Sequence, residues 1–100
     1  MNQVLTIGHR GAKAHAPENT IASFKKALEM GVDMIELDVQ LSNDLVPMVI
    51  HDATVNRTTS ATGNVANFSA KKLQQLGVPS LEDVFTLVQN KCSINIEIKV

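Results

Sequence analysis

The chain has 100 residues, 44% of them hydrophobic, and a formal net charge of −1 at neutral pH. This length predicts one small soluble domain, and the weak charge and the three aromatic residues, all phenylalanine, argue against nucleic-acid binding. The single cysteine excludes an internal disulfide, and no apolar run approaches the roughly 20 residues that span a bilayer, so we expect a cytoplasmic protein without a transmembrane segment.

The first part of the chain predicts a strand followed by a helix. Residues 4–8 form a short apolar run, and a loop containing glycine and proline follows at residues 9–18. Asn19 or Thr20 can cap a helix that continues to about Met30. The apolar stripe of this helix consists of Ile21, Phe24, Ala27 and Leu28.

The next two predicted strands are residues 34–41 and 48–50, joined by turn-forming residues. Residues 34–41 alternate apolar and polar side chains, which puts Glu36, Asp38 and Gln40 on one face. In a tight hairpin, facing positions would sum to about 89, and Asp38 would lie beside His51. A parallel crossover is the alternative, and it would need a longer connection.

The second half of the chain predicts a polar loop, two short helices and a final strand. The loop covers residues 52–67, Ser69 caps a helix to about residue 76, and Ser80 caps a helix over residues 81–90. Residues 93–100 repeat the alternating pattern, with Asn95, Glu97 and Lys99 on one face.

The order β-α-β-β-α-α-β predicts an α/β fold. Because the chain ends inside a strand-like segment, we expect residues 1–100 to be the N-terminal portion of a single larger domain.

Three carboxylates on the two alternating strands predict a cation site. Glu36, Asp38 and Glu97 offer hard oxygen ligands of the kind that Mg²⁺ and Ca²⁺ prefer. The alternative is that these polar faces only meet water, as in many half-exposed strands.

Two histidines at strand ends predict acid–base chemistry beside that cation. His9 and His51 could act as general base and general acid on opposite sides of a phosphate. Arg10 and Lys99 could neutralise the charge of the phosphoryl oxygens. The alternative is that each histidine is a hydrogen-bonded structural residue.

Several linked segments carry a specific pattern. They are His9-Arg10-Gly11, Ala16-Pro17-Glu18-Asn19-Thr20, Glu36-Leu37-Asp38-Val39, His51-Asp52, Arg57-Thr58-Thr59 and Glu97-Ile98-Lys99. In order and spacing, across essentially the whole chain, they resemble the glycerophosphodiester phosphodiesterases. Any one segment alone would be a weak signal.

The resemblance implies a fold, an activity and a set of roles. The fold is a (β/α)₈ barrel of the TIM type, of which this chain would be the N-terminal half, since such barrels have about 250 residues. The activity is metal-dependent hydrolysis of a small glycerophosphodiester to glycerol 3-phosphate and an alcohol. The implied roles are cation binding by Glu36, Asp38 and Glu97, acid–base catalysis by His9 and His51, phosphate contact by Arg10 and Lys99, support of the first loop by Glu18 and Asn19, and orientation of His51 by Asp52.

Two departures from the family pattern bear on these expectations. Leu45 stands where the family usually has glycine, which predicts a strained or a remodelled turn. Only Gly77 and Val78 separate Leu76 from Pro79, where many members carry a longer insertion, so the headgroup preference stays open.

Two other functions compete with the one implied. One is an inactive half-barrel that self-associates through its open edges. The other is a related phosphodiesterase acting on lysophospholipid or sphingolipid, against which the intact His9-Arg10-Gly11 and Pro17-Glu18-Asn19-Thr20 segments argue.

Overall fold

The computed structural model describes residues 6–11 and 16–98. Its elements are β1 (Ile7–His9), α1 (Ile21–Glu29), β2 (Met34–Leu41), β3 (Pro47–Val49), a 3-10 helix (Val65–Asn67), α2 (Ala70–Gln75), α3 (Leu81–Val88) and β4 (Ser93–Ile98). The predicted order of strands and α-helices and the α/β class are confirmed, with the 3-10 helix as an addition. Residues 4–5 of the predicted first strand, and Lys99 and Val100 of the last, lie outside the described residues.

Strand β2 is the centre of a mixed sheet. On one edge it pairs in parallel with β4, from Met34 opposite Ser93 to Val39 opposite Ile98. The other edge carries two strands in succession: β1 pairs in parallel as far as His9 opposite Glu36, and β3 pairs antiparallel further along. Strands β1 and β3 therefore approach the middle of β2 from opposite directions.

The β2–β3 hairpin confirms the antiparallel alternative, but its register differs from the predicted one. Val39 lies opposite Val49, so facing positions sum to 39 + 49 = 88. Asp38 accordingly faces Ile50, whose N–H donates to the Asp38 carbonyl over 3.0 Å, and the predicted pairing of Asp38 with His51 is wrong. The reason is the three-residue loop between Ser42 and Val46. The Ser42 N–H donates to the Val46 carbonyl over 3.0 Å, so these two residues face each other and set the register of the hairpin.

Helices α1 and α3 cover the apolar face of the sheet. Ile35, Leu37 and Val39 of β2 are buried and belong to one core cluster with Phe24 and Ala27 of α1 and Val84 and Val88 of α3. Full burial of a leucine or phenylalanine side chain contributes about 1.5–3 kcal/mol. Since side chains alternate along a strand, Glu36, Asp38 and Gln40 occupy the opposite face.

The apolar stripe predicted for α1 is only partly buried. Phe24 and Ala27 are fully buried and Leu28 packs against the core, but Ile21 is 37% exposed. Ile21 occupies the first position of the helix, directly after the Thr20 cap, and the buried residues of the helix begin at Ser23.

A second core cluster orders the polar loop. Its buried members are Met48, Ile50, Val55, Val65, Leu73 and Val78. They connect the end of β3, the loop and α2, so the loop that begins at His51 packs on a hydrophobic cluster.

The helix caps follow the sequence closely. Thr20 and Ser80 form capping boxes with Ser23 and Asp83, and Ser69 caps α2. Helix α3 ends at Val88, two residues before the predicted end, because Gln89 takes a positive φ of 49°. In the described ranges, no helix has the length and apolarity needed to cross a membrane.

Candidate active site

Three carboxylates meet on the polar face of β2 and β4. Each of Glu36, Asp38 and Glu97 offers one oxygen, and these oxygens lie within 4.8 Å of one another. Pairing explains the arrangement, since Asp38 lies directly opposite Glu97 in the parallel register. Asp38 is almost fully buried and Glu97 is exposed, so the cluster has a closed side and an open side.

Strand β1 brings His9 to this cluster. His9 faces Glu36 in the β1–β2 register, and its Nε2 atom lies 3.3 Å from Glu36 Oε2. Arg10 then turns the chain with a φ of 53°, while its N–H donates to the Glu36 carbonyl over 2.8 Å. The imidazole is 57% exposed, so it is accessible to a ligand.

The loop after β1 surrounds Asp38 with donors. Arg10 Nε lies 3.4 Å from Asp38 Oδ2, and Asn19 Nδ2 donates to the same oxygen over 3.2 Å. Glu18 accepts from Arg10 Nη1 over 3.1 Å, so Glu18 fixes the guanidinium of Arg10. Of the two residues expected to hold this loop, Asn19 contacts Asp38 directly and Glu18 contacts Arg10.

His51 approaches from the other direction, two residues after the end of β3. Its Nδ1 atom lies 2.8 Å from Asp52 Oδ1, and its backbone carbonyl accepts from Gln40 Nε2 over 2.8 Å. Gln40 belongs to the same face of β2 as Asp38, so β2 itself holds the backbone of His51. About a third of the His51 side chain is exposed.

Arg57 joins the two loops. Its Nη1 and Nη2 atoms donate to the two carboxylate oxygens of Glu18 over 2.8 and 3.1 Å. Its Nε and Nη2 atoms donate to the two oxygens of Asp52 over 2.8 and 3.0 Å. One guanidinium therefore binds a carboxylate from each loop in bidentate fashion.

These contacts shift the pKa values of the groups involved. Hydrogen bonds from Arg57, and then from His51, hold the pKa of Asp52 far below its usual value. The hydrogen bond from Arg57 also lowers the pKa of Glu18, against the opposing effect of burial. The pKa of Arg57 rises in turn because it donates to Glu18 and Asp52. Both carboxyl groups are therefore ionised, and can only accept hydrogen bonds, at neutral pH.

The donor set fits a divalent cation. Three carboxylate oxygens converge, and no cysteine or histidine belongs to the group. In the described part of the chain, the buried Oδ1 atom of Asn19 has no hydrogen-bond partner, although the Nδ2 atom of the same amide contacts Asp38. The amide that contacts Asp38 therefore carries an oxygen with unused acceptor capacity, which a bound cation could satisfy.

Sequence reasoning missed two contacts of the site. The hydrogen bond from Gln40 to the His51 carbonyl depends on the hairpin register, and the register predicted from the sequence was off by one residue. Arg57 stood in the recognised pattern, but its role as a link between loops needed the path of residues 52–57. Lys99, expected to contact phosphate, lies outside the described residues.

Comparison with known proteins identifies one protein family to which the chain is similar. The model of the "Glycerophosphoryl diester phosphodiesterase family" matches residues 9–100. A glycerophosphodiester phosphodiesterase of Caldanaerobacter subterraneus subsp. tengcongensis is 44% identical over 111 residues, which cover 97% of this chain and 46% of that protein.

Solved structures agree with this match. The glycerophosphodiester phosphodiesterase of Agrobacterium tumefaciens superposes with a TM-score of 0.92 at 36% identity, covering 98% of this chain and 48% of that one. An Oleispira antarctica phosphodiesterase, solved with its product sn-glycerol-3-phosphate, gives a TM-score of 0.88 at 30% identity and covers 96% and 44%. The chain therefore spans about half the length of the relatives it matches.

Proposed function

This chain belongs to the glycerophosphoryl diester phosphodiesterase family, and we propose that the protein carrying it hydrolyses glycerophosphodiesters to glycerol 3-phosphate and an alcohol. One observation carries the proposal: His9 at the end of β1 and His51 two residues after the end of β3 come to the same edge of β2 from opposite directions, and His9 lies beside a cluster of three carboxylates. Such an arrangement offers a proton acceptor and a proton donor on either side of a bound phosphate.

The two histidines carry the proton transfers. One imidazole takes the proton of the attacking hydroxyl, which belongs either to a water or to the glycerol 2-position, as the oxygen forms its bond to phosphorus. The other, as imidazolium, gives a proton to the departing alcohol oxygen as the second P–O bond breaks. His9 and His51 divide these two roles between them.

The remaining residues bind and orient. Arg10 offers a guanidinium beside the carboxylates, where it can contact a phosphoryl oxygen, and we propose the same for Lys99. Asp52 accepts from His51 Nδ1 and so keeps Nε2 as the reacting nitrogen. Glu18 and Asn19 hold the first loop against Asp38.

Glu36, Asp38 and Glu97 would hold a divalent cation, Mg²⁺ or Ca²⁺. When bound, such a cation supplies positive charge that offsets the negative charge of the phosphodiester. The substrate class rests on the relatives, since the matched Oleispira antarctica phosphodiesterase was solved with sn-glycerol-3-phosphate.

The proposal is tested by hydrolysis of glycerophosphocholine by the intact protein, that is, this chain within its complete natural polypeptide. We expect release of glycerol 3-phosphate that stops when the cation is chelated and resumes when Mg²⁺ or Ca²⁺ is restored. Glu97→Gln should raise the cation concentration needed for half-maximal turnover, whereas Glu82→Gln on the exposed side of α3 should not.

Two results would refute it. Unchanged turnover in a chelator would remove the cation from the mechanism. Normal turnover after His9→Ala or His51→Ala would remove the acid–base pair.

A further inference from the structure

We infer that Arg57 is a positioning residue, which fixes the orientation and the tautomer of His51 through Asp52 and couples the His51 loop to the His9 loop through Glu18. The inference deepens the proposed function and rests on the acid–base role proposed there for His51. Arg57 donates its hydrogen bonds to the Asp52 and Glu18 carboxylates, so its effect on His51 and on the His9 loop passes through these two groups.

The first step is the geometry of the guanidinium. Arg57 makes four hydrogen bonds of 2.8–3.1 Å, two to Glu18 and two to Asp52. A planar guanidinium with donors on two edges can bind two carboxylates at a fixed angle, whereas a lysine ammonium cannot reproduce this fork. The angle between the Glu18 and Asp52 carboxylates is therefore set by Arg57.

The second step runs from Asp52 to His51. Both Asp52 oxygens are occupied by Arg57, and Oδ1 also lies 2.8 Å from His51 Nδ1. An ionised carboxylate only accepts, so Nδ1 of His51 carries the proton and Nε2 of the neutral ring has a free lone pair. Loss of Arg57 would release Asp52, which is partly exposed, from this single orientation.

The third step runs from Glu18 to the other loop. Glu18 accepts from Arg57 and, through Oε2, from Arg10 Nη1 over 3.1 Å. Arg10 follows His9 directly, and its Nε lies 3.4 Å from Asp38. A continuous series of polar contacts thus connects His51 to Asp38 through Arg57.

The two loops joined by Arg57 are far apart in the sequence. Glu18 and Arg57 are 39 residues apart, and the loops that bear them belong to different strands. Helix α1 and the β2–β3 hairpin lie between them. A small cavity of about 20 Å³ is lined by residues of both loops, which meet there. These residues include Glu18, Asn19, His51, Thr58 and Thr59.

The test combines a spectroscopic readout with kinetics on the intact protein. In protein labelled with ¹⁵N-histidine, we expect the His51 nitrogens of the wild type to show the Nδ1–H tautomer. Arg57→Ala should shift them toward a mixture of tautomers, and Arg57→Lys should not restore the wild-type shifts. Because this readout does not depend on turnover, it stands even if the proposed hydrolysis is not observed.

The kinetic arm separates positioning from substrate contact. Outer residues that orient a catalytic group typically change activity by about 10–100-fold. We expect Arg57→Ala to lower kcat for glycerophosphocholine hydrolysis by that factor with KM unchanged, and millimolar guanidinium to recover at least part of it. Asp52→Asn should lower kcat similarly, and Arg57→Ala added to Asp52→Asn should cost little more, because both act through one path.

Three outcomes would overturn the inference. A higher KM with unchanged kcat would make Arg57 a substrate contact. Wild-type ¹⁵N chemical shifts of His51 in Arg57→Ala, or full activity in Arg57→Lys, would show that the guanidinium of Arg57 has no effect on the imidazole. If Arg57→Ala fails to fold, Arg57→Lys and Asp52→Asn carry the same comparison, and additive losses in their double variant would contradict the shared path.

Discussion

Leu45 adopts a backbone conformation that L-amino acids avoid. Its φ is 62°, its N–H donates to the Ser42 carbonyl over 3.0 Å, and its side chain is 72% exposed. The turn needs this conformation, and the leucine side chain gains little from packing there. The sequence departure from glycine at this position therefore stores local strain.

We predict that Leu45→Gly raises the free energy of unfolding by about 1 kcal/mol, because glycine removes the strain of a positive φ. Urea denaturation of the intact protein measures the change. Leu41→Gly is the matched control, since Leu41 is also an exposed leucine but lies within β2. It should lower stability by about 1 kcal/mol, and equal losses in both variants would contradict the account of the turn.

The carboxyl groups of Asp52 and Glu18 give the protein a defined acid response. Arg57 lowers both pKa values below the ordinary values of 3.8 and 4.5. A carboxyl group whose folded pKa is lowered contributes stability above its unfolded pKa and loses it as pH falls toward the folded pKa. The contribution of Arg57 to stability should follow the same course.

We predict that the stability difference between wild type and Arg57→Gln is constant above about pH 5 and shrinks as pH falls below the unfolded pKa values. Denaturant titrations at a series of pH values measure this difference. Lys71→Gln, which removes a positive charge from the exposed face of α2, controls for net charge. A stability difference between wild type and Arg57→Gln that grows toward low pH would contradict the role of Arg57 in lowering the pKa of Asp52 and Glu18.

At the scale of elements, the first loop depends on close packing of Gly11 against α1. Gly11 has a φ of 81°, and a Cβ atom there would collide with the side chain and backbone of Ser23. Ser23 is fully buried, and its hydroxyl donates to the Arg10 carbonyl over 3.2 Å. The helix therefore supports the turn that bears His9 and Arg10.

We predict that Gly11→Ala destabilises the protein by about 1–3 kcal/mol more than Gly31→Ala does. Gly31 has a similar φ of 73°, but nothing lies within 4 Å of a Cβ added there, so it isolates the strain of the backbone from the clash. Thermal and urea unfolding of the two variants provide the comparison. Equal losses would mean that contact between Gly11 and Ser23 does not hold the loop.

The elements themselves could largely be predicted from the sequence. Alternation over residues 34–41 and the capping residues Thr20, Ser69 and Ser80 act locally, so they fix β2 and the helix starts without knowledge of the rest. The same alternation predicted that Glu36 and Asp38 share one face of their strand, and the alternation over residues 93–100 put Glu97 on the polar face of the last strand. Their proximity within 4.8 Å then follows from parallel pairing.

What the sequence could not predict depends on non-local geometry. The hairpin register depends on a loop whose αL residue is a leucine, where sequence rules expect glycine. The contact between Arg57 and Glu18 spans 39 residues and exists only because β1 and β3 share an edge of β2. No periodic pattern encodes such a contact.

At the scale of the whole molecule, this chain spans about half the length of the relatives it matches, and it contains His9, His51 and the three clustered carboxylates. Their arrangement depends on β2, which pairs with β1 and β3 along one edge and with β4 along the other. The central proposal is that His9 and His51 divide the proton transfers of phosphodiester cleavage between them.

The most direct test compares two leaving groups in His9→Ala and His51→Ala of the intact protein. With glycerophosphocholine, both variants should lose at least about 100-fold in kcat, since each lacks one proton transfer. With a glycerophosphodiester of p-nitrophenol, whose leaving oxygen needs no proton, one variant should recover to within about 10-fold of wild type while the other stays inactive. Recovery of both variants, or of neither, would contradict the division of roles between the two histidines.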